Sequence, residues 1–591
     1  MSPQEQCHQE VPVTGRRARQ WIPRPRQPEA EKRLQDAGID PLLARLYAAR
    51  GIQDPKQLER RMAALARPDG MLGMEDALAV LGDALGRGQR VCIVGDFDCD
   101  GATSTALAVA ALAAMGAEVT YVVPDRFRFG YGLTPGIVAE AAETLAPDVL
   151  VTVDNGVSSH DGVAAAHERG MRVVVTDHHL APAELPPADA LVNPNQPGCP
   201  FPGKASAGVG VVFYVMAALR TRLRQAGWFA EQGREDPNLS ELLDLVAVGT
   251  VADVVPLDHN NRILVHQGLA RIQGGQMRPG IRALVEQAGR DPAELQASDL
   301  GFVVGPRLNA AGRLEDMSLG IRCLLATGHE EARELALELD SLNHQRRSLE
   351  ADMHDDAVDA LAEDPALAER HGVCLYREDW HQGVVGLVAS RIKERLHRPV
   401  IAFAPGDGGQ LKGSGRSVPG VHIRDVLDRV ATANEDLLHR FGGHAMAAGL
   451  SLEPDRLEDF QEAFDRAVRE LADPEALTPR LETDGELGPE ELNLRKAEML
   501  AAGGPWGTGF PPPLFQGRFQ VARRQVVGQN HLKMGLVPDG GGEEVEAIHF
   551  RGAPEGEAPP LEAVAIAYRL EVNVFRGRRS VQLVVEECIP A

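Results

Sequence analysis

The chain has 591 residues, of which 44% are hydrophobic and 4% aromatic, and this length predicts about three to four domains. Its seven cysteines are scattered without a CxxC pair, which argues against a disulfide framework or a zinc finger and indicates a reducing compartment. The formal net charge of −24 excludes a protein that coats nucleic acid indiscriminately, although a local basic groove is compatible with an acidic body.

Residues 1–75 are predicted to form a tail followed by a helical region. Arginine and proline are frequent near the start, which favours a frayed tail over a DNA-binding arm. Leu42, Leu43, Leu46 and Tyr47 then form an apolar stripe at helical spacing. Neither a secretory signal nor an apolar run long enough for a bilayer is found, so we expect a cytoplasmic protein without membrane contact.

Strands and helices alternate within residues 76–325, which predicts a parallel sheet built from βαβ units. The predicted strands are Val91–Val94, Val119–Val123, Val149–Val153 and Val173–Thr176. Helical patterns lie between them, near residues 103–115, 134–145 and 160–169. Because connections in such folds are right-handed, we expect the ends of these strands to converge on one edge of the sheet.

Acidic residues follow three of these strands. The first strand is followed by Asp96, Asp98 and Asp100, the third by Asp154, and the fourth by Asp177, His178 and His179. Carboxylates this close repel one another at neutral pH, and a bound cation removes that repulsion. Hard oxygen ligands suit Mg²⁺ or Mn²⁺. An acidic turn that caps the next helix is the alternative, but a cap needs one carboxylate and not three.

Two further features bear on a metal site. Adjacent side chains of an extended segment point to opposite sides, so we expect at most one of His178 and His179 to be a ligand. The other would contact a substrate phosphate or orient its neighbour. Asp253 lies in an apolar run, where a buried carboxylate needs a cation or strong donors. Taken alone, Asp253 fits a metal ligand and a hydrogen-bonded core residue equally well. The acidic cluster upstream favours metal ligation.

The second half of the chain predicts a connector and a second α/β unit. Small residues surround Arg307 and Arg313 within residues 301–316, and small residues let a backbone approach a charged ligand. Residues 326–370 predict a long helix that connects two lobes, and residues 371–474 predict the second α/β unit. Its glycine-rich segments Lys412–Ser417 and Phe441–Gly449 are interpreted as loops that cradle phosphate.

Proline and glycine punctuate residues 475–591, and short strands follow at Phe519–Val521, Ala563–Leu570 and Val581–Val585. A small barrel such as an OB-fold fits this pattern and would offer a groove for a single strand. Its predicted basic contacts are Arg523, Arg524, Lys533, Arg576, Arg578 and Arg579.

These motifs resemble the DHH phosphoesterase superfamily and, within it, the RecJ family of single-stranded-DNA exonucleases. The similar motifs occur in the order Gly95-Asp96-Phe97-Asp98-Cys99-Asp100-Gly101, Val153-Asp154-Asn155-Gly156, Asp177-His178-His179 and Val251-Ala252-Asp253. The second lobe resembles the DHHA1 domain through Gly413-Ser414-Gly415-Arg416-Ser417 and Gly442-Gly443-His444. The resemblance extends from about residue 40 to the C-terminus, and Cys99 stands where the family commonly has alanine.

The resemblance implies an α/β fold, with a DHH parallel-sheet domain and a DHHA1 α/β domain joined by a long helix, plus a C-terminal OB-fold-like β-barrel. It implies two Mn²⁺ or Mg²⁺ ions with the ligands Asp98, Asp100, Asp154, His178 and Asp253. Asp96 matches the motif and is either a further ligand or a contact of the ligands. His179 joins these as a catalytic residue. The implied substrate contacts are Arg126, Arg313, Ser414, Arg416, Gly443 and His444.

The implied activity is 5′→3′ hydrolysis of single-stranded DNA to 5′-mononucleotides, in recombinational and mismatch repair. The implied partners are a single-strand-binding protein and a RecQ-type helicase, and we expect a monomer. One alternative is a DHH phosphohydrolase for pyrophosphate, cyclic dinucleotides or very short oligonucleotides, although such relatives are shorter and lack the barrel. The other is a non-catalytic replication scaffold, although every expected ligand is present here.

Overall fold

The computed structural model of the chain describes residues 19–125, 128–434, 436–438, 440–553 and 556–591, without the side chain of residue 407. The chain divides into two compact units. The larger unit comprises residues 23–343 and 483–591, and the smaller unit comprises residues 344–482 with the described residues before 23. The boundary at residue 343 falls inside one long helix, which therefore belongs to both units.

The first elements are short. Strand β1 (Gln20–Pro23) precedes helices α1 (Pro28–Asp36), α2 (Pro41–Ala49) and α3 (Met74–Arg87), with 3₁₀ turns at Pro55–Leu58, Met62–Ala64 and Pro68–Gly70. Both α1 and α2 begin with proline, whose missing N–H would be unsatisfied in a first turn anyway. The predicted helical region is confirmed. Most of the predicted tail lies outside the described residues.

A five-stranded sheet carries the acidic strand ends. Its strands are β2 (Arg90–Val94), β3 (Glu118–Val122), β4 (Val149–Val153), β5 (Arg172–Thr176) and β6 (Ala190–Val192). They run parallel in the order β3-β2-β4-β5-β6. The intervening helices are α4 (Cys99–Met115), α5 (Pro135–Thr144) and α6 (His160–Glu168). The sequence prediction of a parallel sheet is confirmed, with strand bounds that differ by at most one residue.

Helices complete this part of the larger unit. They are α7 (Gly208–Gln225), α8 (Trp228–Glu231), α9 (Leu243–Ala252), α10 (His259–Gln273), α11 (Pro279–Gln287), α12 (Ala297–Asp299), a π-helical turn at Leu300–Val304, α13 (Gly305–Leu314) and α14 (Ser318–Leu325). Helices α4, α7 and α9 pack against one another. Most residues of α4 and α9 are buried on all sides, which explains their near-continuous apolar sequences.

The predicted connector is helix α15 (His329–Glu363). Leu335, Leu339, Leu342 and Met353 are buried on this helix. Short helix α16 (Pro365–Glu369) follows it.

The smaller unit contains a mixed sheet. Its elements are β7 (Val373–Tyr376), α17 (Val385–Leu396), β8 (Val400–Pro405), β9 (Leu411–Arg416), α18 (Ile423–Ala433), β10 (Arg440–Gly443), β11 (Ala447–Leu452), α19 (Leu457–Leu471) and β12 (Arg480–Thr483). The sheet order is β10-β11-β9-β8-β7, in which only β7 and β8 run parallel. β12 pairs with β1.

The interpretation of the glycine-rich segments as loops is wrong, because both form strands of this sheet. Lys412–Arg416 lies in β9, and most of Phe441–Gly449 lies in β10 and β11. Glycine is usually disfavoured in strands, but here it lets strand and core approach closely. A Cβ at Gly413 would lie 2.5 Å from the Phe403 ring, and one at Gly415 would lie 2.6 Å from Ile423.

The C-terminal part forms a closed barrel. Helix α20 (Leu494–Ala502) precedes β13 (Phe515–Val527), β14 (His531–Pro538), β15 (Val545–His549), β16 (Ala563–Phe575) and β17 (Arg578–Pro590). The barrel order is β13-β14-β15-β17-β16, with β15 and β17 parallel and the other pairs antiparallel. Phe515, Phe519 and Tyr568 fill its core. The predicted OB-like barrel is confirmed.

Several basic residues predicted to contact DNA from the barrel are held by neighbouring groups. Arg523 pairs with Glu544, and Lys533 lies 2.8 Å from Glu546. Arg579 lies 3.1 Å from a carboxylate of α20. These ion pairs reduce the positive charge that the barrel offers to a single strand.

Two general observations complete the fold. Across the described ranges, every helix is too short or too polar to traverse a lipid bilayer. The six cysteines within those ranges are all free thiols.

A buried ion pair fastens α2 to the chain that enters the barrel. Arg50 donates to both carboxylate oxygens of Asp484, at 2.9 and 2.8 Å, and its Nε donates to the Pro511 carbonyl. Both side chains are at most 2% exposed. The fork geometry leaves the guanidinium well satisfied in a buried site.

We expect Asp484→Asn to lower the free energy of unfolding of the larger unit by about 3–5 kcal/mol, because it leaves the Arg50 charge buried without its carboxylate. Urea unfolding followed by tryptophan fluorescence measures this loss, since the Trp506 ring lies 5.3 Å from the Arg50 guanidinium carbon. The control is Asp69→Asn, which removes the exposed ion pair with Arg67 and should leave the midpoint unchanged. Equal effects of the two variants would contradict the assignment.

Candidate metal centre

The acidic strand ends lie side by side at the point where the strand order reverses. From β2 the chain passes to β3 on one side and then to β4 on the other. Ligands of open parallel sheets bind beyond the carboxyl ends of the strands at such a point. Here the polar residues after β2, β4 and β5 meet at one edge, as the sequence predicts.

The segment after β2 has one capping carboxylate. Asp98 is the N-cap of α4, and its Oδ1 accepts a hydrogen bond from the Gly101 N–H at 3.0 Å. Asp96 is buried and accepts from the Phe97 N–H at 2.7 Å. The capping alternative is therefore right for Asp98, but a cap does not explain the other carboxylates.

Asp100 is fully buried in the first turn of α4. Its two oxygens accept hydrogen bonds from the N–H groups of Gly208 and Val209, at 2.6 and 3.0 Å, at the start of α7. Burial, together with the negative charge of Asp98, raises the pKa of Asp100 to about 7. Glycine is required at 208, because a Cβ there would lie 2.5 Å from Asp154 Oδ1.

Asp154 follows β4 in the left-handed region, with φ 64°. Its Oδ1 is buried, accepts no hydrogen bond among the described residues, and lies 3.1 Å from His178 Nε2. Burial raises the pKa of Asp154 well above its usual range, and the charge of Asp100 raises it further. The next residue, Asn155, fixes this turn by donating to the carbonyls of Val94, Gly95 and Val153.

Asp253 approaches the same histidine from α9. It caps the C-terminus of that helix, and its buried Oδ2 accepts no hydrogen bond among the described residues. This oxygen lies 3.5 Å from His178 Nε2. Burial raises the pKa of Asp253 well above its usual range, with the charge of Asp100 as the next cause. Val254 follows with φ 64°, a strained conformation for a β-branched residue.

The rings of His178 and His179 lie on the same side, with centroids 4.5 Å apart. The expectation that they point to opposite sides is wrong, because the chain turns after β5. Asp177 causes this turn, since its Oδ1 accepts from the N–H groups of both histidines, at 2.7 and 3.1 Å. Asn193 and Asn195 bind the carbonyls of the two histidines.

Asp177 also changes the pKa of the His179 ring. The two are joined by a 2.7 Å hydrogen bond between Nδ1 and Oδ1. Burial favours the neutral forms of both groups, but this bond and the surrounding opposite charges and donors together outweigh it, so the pKa of Asp177 is lowered and that of His179 is raised. Asp177 is thus a buried anion that holds a histidine, the usual partner of a functional imidazole.

Two sets of three ligand atoms converge, each within 4.8 Å. One set comes from Asp154, His178 and His179, and the other from Asp100, His178 and Asp253. A cation would satisfy the buried oxygens of Asp154 and Asp253 and offset the repulsion that raises their pKa values. Carboxylate oxygens with imidazole nitrogen suit Mn²⁺ or Mg²⁺, so these residues fit the predicted ions.

The structure differs from the predicted ligand set in two respects. Among the described residues, Asp96 and Asp98 contribute no atom to either set, although they lie in the same segment. His179, which was predicted to lie outside the ligand set, contributes to one of them.

Arg313 is brought to the acidic segment by α13. Its neighbour Gly312 packs so closely that a Cβ there would lie 1.8 Å from the Phe97 carbonyl oxygen. Asn309 Oδ1 accepts from the Cys99 N–H at 2.7 Å. These contacts hold α13 against the residues between Asp96 and Asp100.

The other predicted substrate contacts belong to other segments of the chain. The smaller unit contains four of them, namely Ser414, Arg416, Gly443 and His444. Arg416 Nη1 donates to Ser414 Oγ at 3.0 Å, and the His444 N–H donates to the Ala447 carbonyl at 2.8 Å. Arg126 lies outside the described residues.

Sequence reasoning missed several residues that shape the site. The Tyr131 hydroxyl lies 3.2 Å from His179 Nδ1 and 3.3 Å from the Asp154 carbonyl. Gly130 and Gly132 on either side have positive φ, and this Gly-Tyr-Gly pattern is the signal that would have drawn attention to the tyrosine. Asn309 gave no signal, because its partner is 210 positions away.

Family profiles match three parts of the chain. The DHH family, N-terminal domain, matches residues 90–250, which include the cluster apart from Asp253. The DHHA1 domain matches residues 369–470, and the RecJ OB domain matches residues 483–587.

Full-length relatives are similar over nearly the whole chain. The single-stranded-DNA-specific exonuclease RecJ of Dickeya dadantii is 53% identical over 576 residues, covering 96% of this chain and 98% of the relative. The protein of the same name from Escherichia coli is 50% identical over 561 residues, covering 94% and 96%.

A solved structure is also similar. The crystal structure of RecJ in complex with Mn²⁺ from Thermus thermophilus has a TM-score of 0.79 and 31% identity, covering 97% of this chain and 79% of that chain. The complex with Mg²⁺ has a TM-score of 0.72 and 29% identity, covering 96% and 78%.

The stability of the metal-free protein is expected to fall as the pH rises. Asp100 has a pKa of about 7 when folded, against about 4 when unfolded, so the folded state retains a proton that the unfolded chain loses. This contribution is complete below about pH 4 and is lost as the pH rises through 7, on the order of 4 kcal/mol in total. Calorimetry in EDTA should show a melting temperature that falls from pH 5 to pH 8.

The matched comparison is Asp100→Asn, which should flatten this fall because the amide does not titrate. Mn²⁺ should raise the melting temperature of the wild type more at pH 8 than at pH 5, since it binds the ionised carboxylates. Parallel pH profiles of the two proteins would refute this reading of Asp100.

Asp177→Asn is expected to weaken Mn²⁺ binding by about 10- to 100-fold, because the histidine segment loses the anion that orients it. Isothermal titration calorimetry measures this change. Asp189→Asn is the control, since Asp189 precedes β6, pairs with His167 of α6 at 3.0 Å and accepts from the Val173 N–H at the start of β5, the opposite end of that strand from the histidines. A dissociation constant that rises as much in the control as in Asp177→Asn would contradict the orienting role.

Proposed function

Because the chain belongs to the RecJ family of single-stranded-DNA-specific exonucleases, we propose that it removes mononucleotides from the 5′ end of single-stranded DNA. The observation that carries this proposal is the buried cluster of carboxylates and imidazoles at the reversal point of the parallel sheet. The 5′→3′ polarity is taken from the family resemblance.

We propose that Asp98, Asp100, Asp154, His178 and Asp253 would hold two Mn²⁺ or Mg²⁺ ions, with Asp96 supporting the segment. When bound, the ions would polarise the phosphodiester and make a water molecule acidic enough to attack near neutral pH. The protein positions these ligands with the N–H groups of α7 on Asp100 and with Asn155 behind Asp154.

His179 is assigned to the phosphate. Asp177 raises the pKa of His179 and so favours its charged form, which can stabilise negative charge on a phosphate oxygen. The Tyr131 hydroxyl adjoins this ring and limits its movement. We propose that Arg126, Arg313, Ser414, Arg416, Gly443 and His444 contact the remaining phosphates.

We further propose a monomer that acts in the cytoplasm in recombinational and mismatch repair, on strands supplied by a RecQ-type helicase and a single-strand-binding protein. These assignments follow the family resemblance. The domain division at residues 75, 325, 370 and 474 is retained as a proposal. A pyrophosphate or short-oligonucleotide hydrolase is disfavoured by the closed barrel, and a scaffold is disfavoured by the two converging sets of ligand atoms.

Asp154→Ala is expected to reduce nucleotide release from a long 5′-phosphorylated single strand by at least about a thousandfold, which corresponds to about 4 kcal/mol of transition-state stabilisation. The reason is the loss of the carboxylate that contacts His178. Release is measured by quench-flow in Mn²⁺, with circular dichroism and single-strand binding in EDTA as checks of folding.

Asp161→Ala, which removes an exposed carboxylate from the first turn of α6, is the matched control and should retain activity. Normal nucleotide release by Asp154→Ala would contradict the proposed metal-dependent hydrolysis. A wild type that acts only on short oligonucleotides or pyrophosphate would favour the other hydrolase, and one that releases nothing would favour the scaffold. Appearance of the 3′-terminal nucleotide first would contradict the polarity.

A further inference from the structure

An open cavity of about 410 Å³ lies on the sheet of the smaller unit. Its lining residues are Gln410, Lys412 in β9, Arg440 in β10 and Ser451 in β11. None of them is among the individually predicted substrate contacts, although Lys412 begins a segment that the sequence predicts to cradle phosphate.

Strand register places three of these side chains in one row across the sheet. Ser451 is the register partner of Lys412 on one side and of Arg440 on the other. Directly opposed residues share a face, so the two cationic side chains flank the serine on the same surface. Two strand spacings separate their Cα atoms by about 10 Å, which leaves room for one phosphate group between them.

The two cations are not neutralised by carboxylates within the described residues. Lys412 Nζ donates to Ser451 Oγ at 2.9 Å, a neutral acceptor that fixes the ammonium above the sheet. Arg440 is exposed and forms no ion pair in the described part of the chain. The nearby Glu453 carboxylate accepts from Gln410 Nε2 at 3.2 Å. In a chain of net charge −24, this unpaired pair of cations in a cavity indicates an anionic ligand.

The next row on the same face connects the cavity to a predicted phosphate contact. That row consists of Gly442, Gly449 and Ser414. A Cβ at either glycine would meet no atom within 4 Å, so the floor is open and carries no side chains. Ser414 lies two positions after Lys412 on β9, at about 7 Å, a separation comparable to that of neighbouring phosphates in an extended strand.

We propose that Lys412, Arg440 and Ser451 form a phosphate-binding pocket, which holds one further phosphate of the strand whose neighbouring phosphate lies at Ser414 and Arg416. This inference rests on the proposed function, since the ligand is the backbone of single-stranded DNA. The pocket offers no group for reading bases, so its contribution is independent of sequence. A free nucleotide carries the same phosphate chemistry, and the experiment separates the two sources.

The test is the full-length double variant Lys412→Gln/Arg440→Gln. Fluorescence anisotropy with 5′-phosphorylated oligo(dT) in EDTA measures binding without hydrolysis, over a range of salt concentrations. We expect affinity at low salt to fall about tenfold. The slope of log K against log salt should become shallower by about 0.7, the value for one single-strand phosphate contact. A mixed-sequence strand should lose the same factor.

The matched control is Arg424→Gln/Arg466→Gln. These arginines lie on α18 and α19, whose apolar residues pack against the opposite face of the sheet, so neither affinity nor slope should change. Lys412→Arg/Arg440→Lys keeps both charges and should restore binding. If the double variant unfolds, Arg440→Gln alone decides the question, because this exposed side chain makes no hydrogen bond in the described part of the chain.

The outcomes separate this inference from the proposed function. A wild type that neither binds nor degrades single-stranded DNA overturns the proposed function. Binding of dTMP, a free nucleotide, is measured for the wild type and the double variant in the same way. If the wild type binds and degrades single-stranded DNA, but the double variant has the same salt slope and the same affinity for dTMP as the wild type, the pocket alone is overturned. A changed slope with unchanged dTMP binding supports the strand backbone as ligand. Weaker dTMP binding with an unchanged slope supports phosphate recognition but assigns it to the free nucleotide.

Discussion

Electrostatic repulsion among buried carboxylates is the constraint around which the larger unit is built. Asp100, Asp154 and Asp253 come from three segments that together span more than 150 positions, and burial together with neighbouring carboxylates raises their pKa values. The apolar packing of α4, α7 and α9 holds them in place, because these helices have almost no polar face. Glycines at 208 and 249 allow that packing, since a Cβ at either would collide with a carboxylate of the cluster. A cation converts this repulsion into attraction, so the same geometry that destabilises the metal-free protein prepares it for binding.

The backbone around the cluster is fixed by amides and carboxylates that do not themselves face the ions. Asn155 joins the ends of β2 and β4, and Asp177 binds the turn that presents both histidines. Asp154 and Val254 occupy the left-handed region, which for a β-branched residue costs on the order of 1–3 kcal/mol. The strain is tolerated because neighbouring residues determine these conformations. The site is therefore organised before any ligand arrives, which is the arrangement that electrostatic catalysis requires.

The sequence predicts the sheet well and its contacts less well, for physical reasons. β-Branched runs define β2, β4 and β5 within one residue, and the carboxylates that follow them are a local signal. His178 and His179 are predicted as site residues, but their placement on the same side is not, because the Asp177 side chain bends a segment that periodicity treats as extended. The glycine-rich strands β9 to β11 are predicted as loops. Several of their glycines are needed for close contact with the Phe403 ring and other core atoms that are distant in sequence, so the local sequence does not reveal the strands. Tyr131 and Asn309 act through partners that no local pattern reveals.

Net charge is a poor guide to where this protein meets an anion. The barrel has the arginines and lysines that a nucleic-acid groove suggests, yet Arg523, Lys533 and Arg579 each face a glutamate. The smaller unit has fewer cations on its sheet, but Lys412 bonds only a hydroxyl and Arg440 forms no ion pair among the described residues. Glycine rows beside them leave the backbone bare, so a polyanion can approach without displacing side chains. What attracts phosphate here is that neither cation is paired with a carboxylate among the described residues, a property that depends on strand register and is invisible in composition.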